Sequence, residues 1–270
     1  MSVRTVLLHA APDSGFDDRL ACAVALAKQS GARLVALYTL YPAGVPRVGR
    51  ALSIYVNELK REAREKEAET RARFDAAIAA AGIAADWSVV DGEVTAELRK
   101  ASDFADVTVV SETVSGTSDD ELAAILPEHL ALTSSGPVLV VPTAKKVPAR
   151  IGRVVVAWKS SREAGHAVRL ALPLLKSADQ VLVLTVSEDG GAPPESGAQL
   201  TGFLKAHGVN AEHKHVEGDP TKAITTESAA FGADLLVMGA YSRARLTELV
   251  LGGVTASLIA NPPLPLLCAH

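Results

Sequence analysis

The chain has 270 residues, 48% of them hydrophobic but only 4% aromatic, and a formal net charge of −4. That length exceeds one ordinary domain and points to two; the apolar content excludes disorder, and the mild negative charge supplies no field to gather nucleic acid or an anionic membrane. Cys22 and Cys268 stand far apart in apolar sequence and read as small buried hydrophobes, no stretch approaches the roughly 20 apolar residues of a membrane span, and the amino-terminal run is too short for a secretory signal, so a cytoplasmic protein is expected.

From the amino terminus, Thr5–Ala10 predicts a short apolar strand, followed by a polar turn, an amphipathic helix and a second strand at Leu34–Leu40. Extra chain from Tyr41 to Ser53 precedes a long helix predicted over Ile54–Ala81. Its apolar stripe is Ile54, Leu59, Ala63, Phe74, Ala77, Ile78 and Ala81, while "KREAREKEAE" mixes both charges at helical spacing and faces water. Strands at Asp86–Val90, Val107–Ser111 and Val138–Val141 complete this first set. In "TAKKVPARIG", Thr143 to Gly152, basic residues and proline interrupt the periodicity. Five further strands are predicted near Val154–Trp158, Gln180–Val186, Ala211–Val216, Leu235–Met238 and Leu264–Cys268.

The two sets repeat one another. "VVDGEVTAELRKASDFADVTVV" (Val89 to Val110) parallels "HVEGDPTKAITTESAAFGADLLVM" (His215 to Met238), and the strand, turn, helix and strand that open each half also correspond. Two copies of one unit follow: residues 1–142, a linker at 143–152, and residues 153–270. Short Val- and Leu-rich runs alternating with helical patterns indicate parallel strands covered on both faces, hence an α/β fold of two doubly wound, Rossmann-like five-stranded parallel sheets. The terminal strands Val138–Val141 and Leu264–Cys268 are apolar, and an unpaired edge of that kind invites aggregation that pairing would remove.

Sheets of this kind bind ligands beyond the carboxyl ends of their strands, where strand order reverses. In the second half, Gly239 ends the fourth strand, and Gly252, Gly253, Val254 and Thr255 stand at a helix start whose unpaired amides suit a phosphate. Arg243 and Arg245 flank the loop between them. The first half has no glycine pair at that spacing and carries Asp119, Asp120 and Glu121 in the corresponding loop, where they would repel phosphate.

With "VEGDPTKAI", "ADLLVMGAYSRARLTELVLGGVTASLI" and "NPPLPLLC" in that order and spacing, the chain resembles the universal stress proteins in their tandem form. Nucleotide-binding members of that family carry Gly, two residues, Gly, nine residues, Gly and then Ser or Thr; this chain has Gly239, Ser242, Gly252 and Gly253 at those positions. Lys159 replaces the Asp that ends the first strand of ATP-binding relatives, Ser160 replaces the following Gly, and Ser161 is kept. The resemblance implies contacts to ATP or another adenine nucleotide from Val186, Met238, Gly239, Gly252, Gly253 and Val254, with Lys159, Ser161, Ser242 and Arg243 as further candidates. It also implies an intramolecular pseudo-dimer in which Val138–Val141 and Leu264–Cys268 lie side by side about a pseudo-twofold axis; a homo-oligomer and an unidentified protein partner are further expectations.

Other residues have plainer readings. His213 and His215, two apart on one strand, share a face but lack a third metal ligand. His9 reads as a strand histidine, Trp158 either stacks on a base or packs, and "KSS" at 159–161 reads as a polar strand-to-helix turn. Three function classes stay open: a non-catalytic stress-response protein binding an adenine nucleotide in its second half; an interaction module of the same fold without a small ligand; and a nucleotide hydrolase or adenylyl transferase. The last lacks a Walker-type loop, a pyrophosphatase motif and a marked carboxylate pair.

Overall fold

The computed structural model describes residues 2–41, 50–112, 126–145, 147–188, 195–240 and 253–270. The first half runs β1 (Thr5–Ala10), α1 (Phe16–Ser30), β2 (Arg33–Tyr41), α2 (Arg50–Ala81), β3 (Ala85–Glu93), α3 (Val94–Ser102), β4 (Val107–Ser111), α4 (Leu126–Thr133) and β5 (Val138–Val141). The second runs β6 (Arg153–Ala157), α5 (Arg162–Ser177), β7 (Gln180–Ser187), α6 (Glu195–Ala206), β8 (Ala211–Glu217), α7 (Pro220–Phe231), β9 (Leu235–Gly239), α8 (Gly253–Ala260) and β10 (Leu266–Ala269). Every predicted strand is present, displaced by at most two residues at an end except β3, which runs three residues past its expected end at Val90.

The two predicted sheets are joined into one. Strand order is β3-β2-β1-β4-β5-β10-β9-β6-β7-β8, parallel within each half and antiparallel where β5 meets β10. Leu139 pairs with its repeat equivalent Leu267, while Val140 pairs with Leu266 and Val138 with Cys268. A local twofold axis therefore passes through the Leu139–Leu267 pair. Each half supplies the edge that the other's last strand lacks, leaving β3 and β8 as the outer edges.

Alternation along the strands divides the core into two layers. Val154 and Val156 join Phe16, Leu26, Leu174 and Leu204 on the face covered by α1, α2, α5 and α6. Val155, with Leu98, Leu130, Ile224 and Leu258, joins the face covered by α3, α4, α7 and α8. The central strands β4, β5, β6, β9 and β10 are buried on both sides, which is why their sequences are almost continuously apolar.

Polar residues fix the ends of this framework. The "AD" shared by the two copies is a strand clamp: Asp106 Oδ2 accepts from the amides of Arg4 and Thr5 at 2.7 and 2.9 Å, and Asp234 Oδ2 accepts from those of Gly152 and Arg153, both at 2.8 Å. Across the halves, Gln29 of α1 accepts from the Ile151 amide and donates to its carbonyl, and Lys145 donates to the Pro262 carbonyl. The segment between the copies is thus tied to both of them. Helix α2 begins at Arg50, four residues before the expected start. Phe74, Ala77, Ile78 and Ala63 pack on the core, and Arg61 pairs with Glu58 and Glu65 on the outer side. Tyr38 Oη donates to the Ala63 carbonyl at 2.6 Å and Trp87 Nε1 to Glu67 at 2.8 Å. No described helix is long and apolar enough to cross a membrane.

Candidate functional site

Strand order reverses between β1 and β4 in the first half and between β6 and β9 in the second, so each half has one crevice at the carboxyl ends of those strands. In the second half, Ala157 stands beside Met238 in register, and the chain continues into Trp158, Lys159, Ser160 and the α5 N-cap Ser161 on one side and Gly239 on the other. Met238 is 6% exposed, and Val186 and Val254 are partly buried against the same apolar cluster. These three candidates lie on the same face of the sheet. Gly253 begins α8, is exposed, and has open space where a Cβ would stand. Lys159 is exposed at the mouth. Ser242, Arg243, Arg245 and Gly252 lie outside the described residues, as do Asp119, Asp120 and Glu121 of the first half.

Two candidates are engaged within the fold itself. A Cβ on Gly239 would lie 2.5 Å from Ala164 N and 2.7 Å from Glu163 C; the close approach that requires glycine is made by the first turn of α5. Ser161 Oγ accepts from the Ala164 amide at 3.1 Å, which makes it the helix cap that the "KSS" turn predicts. Trp158 packs toward α5 and α6, on the sheet face opposite to Met238 and Val186.

In the first half, one buried side chain ties the strand ends together. Arg19 of α1, 1% exposed, uses all five of its N–H donors: Nε to the His9 carbonyl at 3.0 Å, Nη1 to Asp13 at 2.9 Å and Ser111 at 2.7 Å, and Nη2 to Asp13 at 3.0 Å and the Ala11 carbonyl at 3.5 Å. By the register of the repeat, Arg19 corresponds to Ala167, also buried. Ser111 likewise corresponds to Gly239, and Gly15 to Glu163. A Cβ on Gly15 would lie 2.5 Å from Ser111 Oγ, so the strand end carries the side chain and the helix start gives the room, the reverse of the second half. Sequence reasoning missed Arg19. Its signal is a cation inside the stripe Phe16, Leu20, Ala23 and Leu26, all of it core.

The remaining titratable groups serve the fold. Burial, then the Arg19 charge, lowers the His9 imidazole to about 3, against a smaller opposing pull from Asp13. Burial pushes the thiols of Cys22 and Cys268 up to about 12, which suits packing rather than reactivity. His213 and His215 do share a face: their Nε2 and Nδ1 meet Thr185 Oγ1 at 2.9 and 3.0 Å. Burial, then the neighbouring His215, holds His213 below its ordinary value. Among the described residues no group of three or more His, Cys, Asp or Glu side chains is placed to hold a metal.

Residues 150–270 match the profile of the Universal stress protein family. Among solved structures, the chain is similar to a universal stress protein from Archaeoglobus fulgidus DSM 4304 at 21% identity, with 98% of this chain and 96% of that one covered and a TM-score of 0.75. It is also similar to a functionally unknown protein from Pseudomonas aeruginosa PAO1 at 16% identity, with 99% and 92% covered and a TM-score of 0.58. At these identities the likeness carries the fold, over both halves at once. No curated protein matches the sequence.

Proposed function

We propose that the chain, whose residues 150–270 match the universal stress protein profile, is a non-catalytic tandem protein of the stress response that binds one adenine nucleotide, ATP among the candidates, in its second half. In this reading residues 1–142 form a degenerate partner domain, 143–152 link it, and 153–270 carry the site. The observation that favours one site over two is the exchange of Arg19 for Ala167: a guanidinium with all its donors used leaves no room or unpaired charge for a ligand between β1 and β4, whereas the equivalent position beside β6 and β9 carries only a methyl group. Met238, Val186 and Val254 offer an apolar wall for a base. The start of α8 at Gly253, with Gly252 before it, offers amides for phosphate.

Native mass spectrometry of gently purified protein tests this. The expected result is one adenine nucleotide per chain, lost in Gly252→Asp, which puts bulk and negative charge at the helix start. Lys159→Asp restores the family carboxylate and is expected to raise affinity. A nucleotide located in the first half, or unchanged binding in a folded Gly252→Asp protein, would overturn the assignment.

A second reading, an interaction module without a small ligand, draws on the engagement of Gly239 with Ala164 and of Ser161 with the α5 cap. Repeatedly empty protein with no thermal shift by ATP, ADP or AMP would select it. Time-dependent loss of ATP above a buffer control would instead bring back hydrolysis. A protein partner and a homo-oligomer of the paired halves belong to both readings.

A further inference from the structure

The nucleotide reading leaves unused a cavity of about 220 Å³ between α5 and α6, lined by Trp158, Gly165, Arg169, Gln199, Leu200 and Phe203 among others. Trp158, Val168, Leu200 and Phe203 belong to the core layer of that face, whereas Val186, Met238 and Val254 belong to the other. The sheet therefore lies between the two places.

Three features meet at this cavity. Gly165 sits inside α5, where glycine weakens a helix, yet a Cβ there would have nothing within 4 Å. No crowding explains the glycine; what it provides is room. Arg169 lies with its guanidinium 5.5 Å from the Phe203 ring centroid and has no ion-pair partner among the described residues. Trp158 Nε1–H is buried and lacks an acceptor, an arrangement native interiors avoid. Aromatic walls, a cation held against one of them, and hydroxyl groups from Ser160 and Ser196 at the rim complement a flat apolar ring bearing an anion. Arginine is the side chain best matched to a carboxylate, which it binds through paired N–H groups.

We propose that the α5–α6 cavity is a second ligand site, separate from the nucleotide crevice, that takes a small aromatic carboxylate. A cavity of about 150 Å³ holds benzene, so this one has room for a single ring. The ring lies against Trp158 and Phe203, over Val168 and Leu200, and the carboxylate meets Arg169. Because Arg169 is exposed, its contribution weakens as salt is raised. Trp158 and Ser160 flank Lys159 directly, so occupancy bears on the turn that borders the nucleotide crevice.

Trp158 is its own reporter. The chain has two tryptophans, and Trp87→Phe leaves only Trp158, whose fluorescence is titrated with benzoate, indole-3-carboxylate and the neutral analogue benzamide. A saturable change is expected with both carboxylates, with benzamide at least about tenfold weaker and benzoate weakening with added salt. Arg169→Gln should abolish that preference. Gly165→Phe should fill the cavity and remove binding, with a thermal midpoint no lower than the parent's showing that the fold is intact. Equal response to benzoate and benzamide, absence of any saturable response, unaltered binding in both variants, or competitive displacement of benzoate by AMP would each overturn the proposal.

Discussion

At the scale of single residues, Arg19 and Ala167 make two similar domains unlike. A buried guanidinium is tolerated only when its donors are all used, and His9, Ala11, Asp13 and Ser111 supply the acceptors. Arg19→Met is expected to lower stability by about 1–3 kcal/mol in urea unfolding. This is less than the full cost of breaking a buried ion pair, because Asp13 is 47% exposed and regains water. His9 beside it predicts a pH effect of definite sign. The folded imidazole stays neutral down to about 3, while the unfolded one takes up a proton near 6.5. Between those values the unfolded state binds more protons, so this stabilisation is complete above 6.5 and is lost as pH falls toward 3. In His9→Leu, stability measured against pH should show a shallower decline over that window than in the parent; parallel curves would contradict it.

Among the elements, the junction of β9 with the start of α5 is the most constrained. The Gly239 Cα faces the Ala164 amide and the Glu163 carbonyl carbon, both backbone, so neither can move aside as a flexible side chain does. Gly239→Ala should cost about 1–3 kcal/mol, read as a lowered urea midpoint, and should displace the Ser161 cap from the Ala164 amide. Substitution at Gly253, where a Cβ meets open space, lacks that steric penalty and serves as the control. Two glycines that look alike in sequence thus differ: one admits a neighbouring helix, while the other begins a helix with no steric need for glycine.

For the whole molecule, the antiparallel β5·β10 pair does for one chain what a twofold dimer does for two. Leu139 meets its own repeat equivalent, Leu267, on the local axis, a self-matching contact of the kind that symmetric dimers use. Residues 150–270 expressed alone would expose the apolar edge of β10 and are expected to form a homodimer through it, seen as twice the monomer mass by light scattering. A stable monomer at high concentration would show that the pairing depends on tethering by residues 143–152.

Much of this architecture was legible in the sequence, because strand and helix periods are local. All ten strands were placed, the long α2 was expected where it lies, and the resemblance implied adjacent terminal strands. The "AD" clamps show why the repeat was visible at all: Asp106 and Asp234 satisfy the same pair of amides in each copy. The candidate site was legible only in part. Val186, Met238 and Val254 lie on one sheet face, but the use of Gly239 by α5, the anchoring of Arg19 between the first-half strand ends, and the cavity beside Trp158 depend on groups up to 92 residues apart in sequence. Such contacts follow from where the sheet's crossovers set the helices. Local patterns determined which segments become strands and helices; only tertiary packing decided that Arg19 ties together the first-half strand ends while Ala167 stands at the equivalent place in the second.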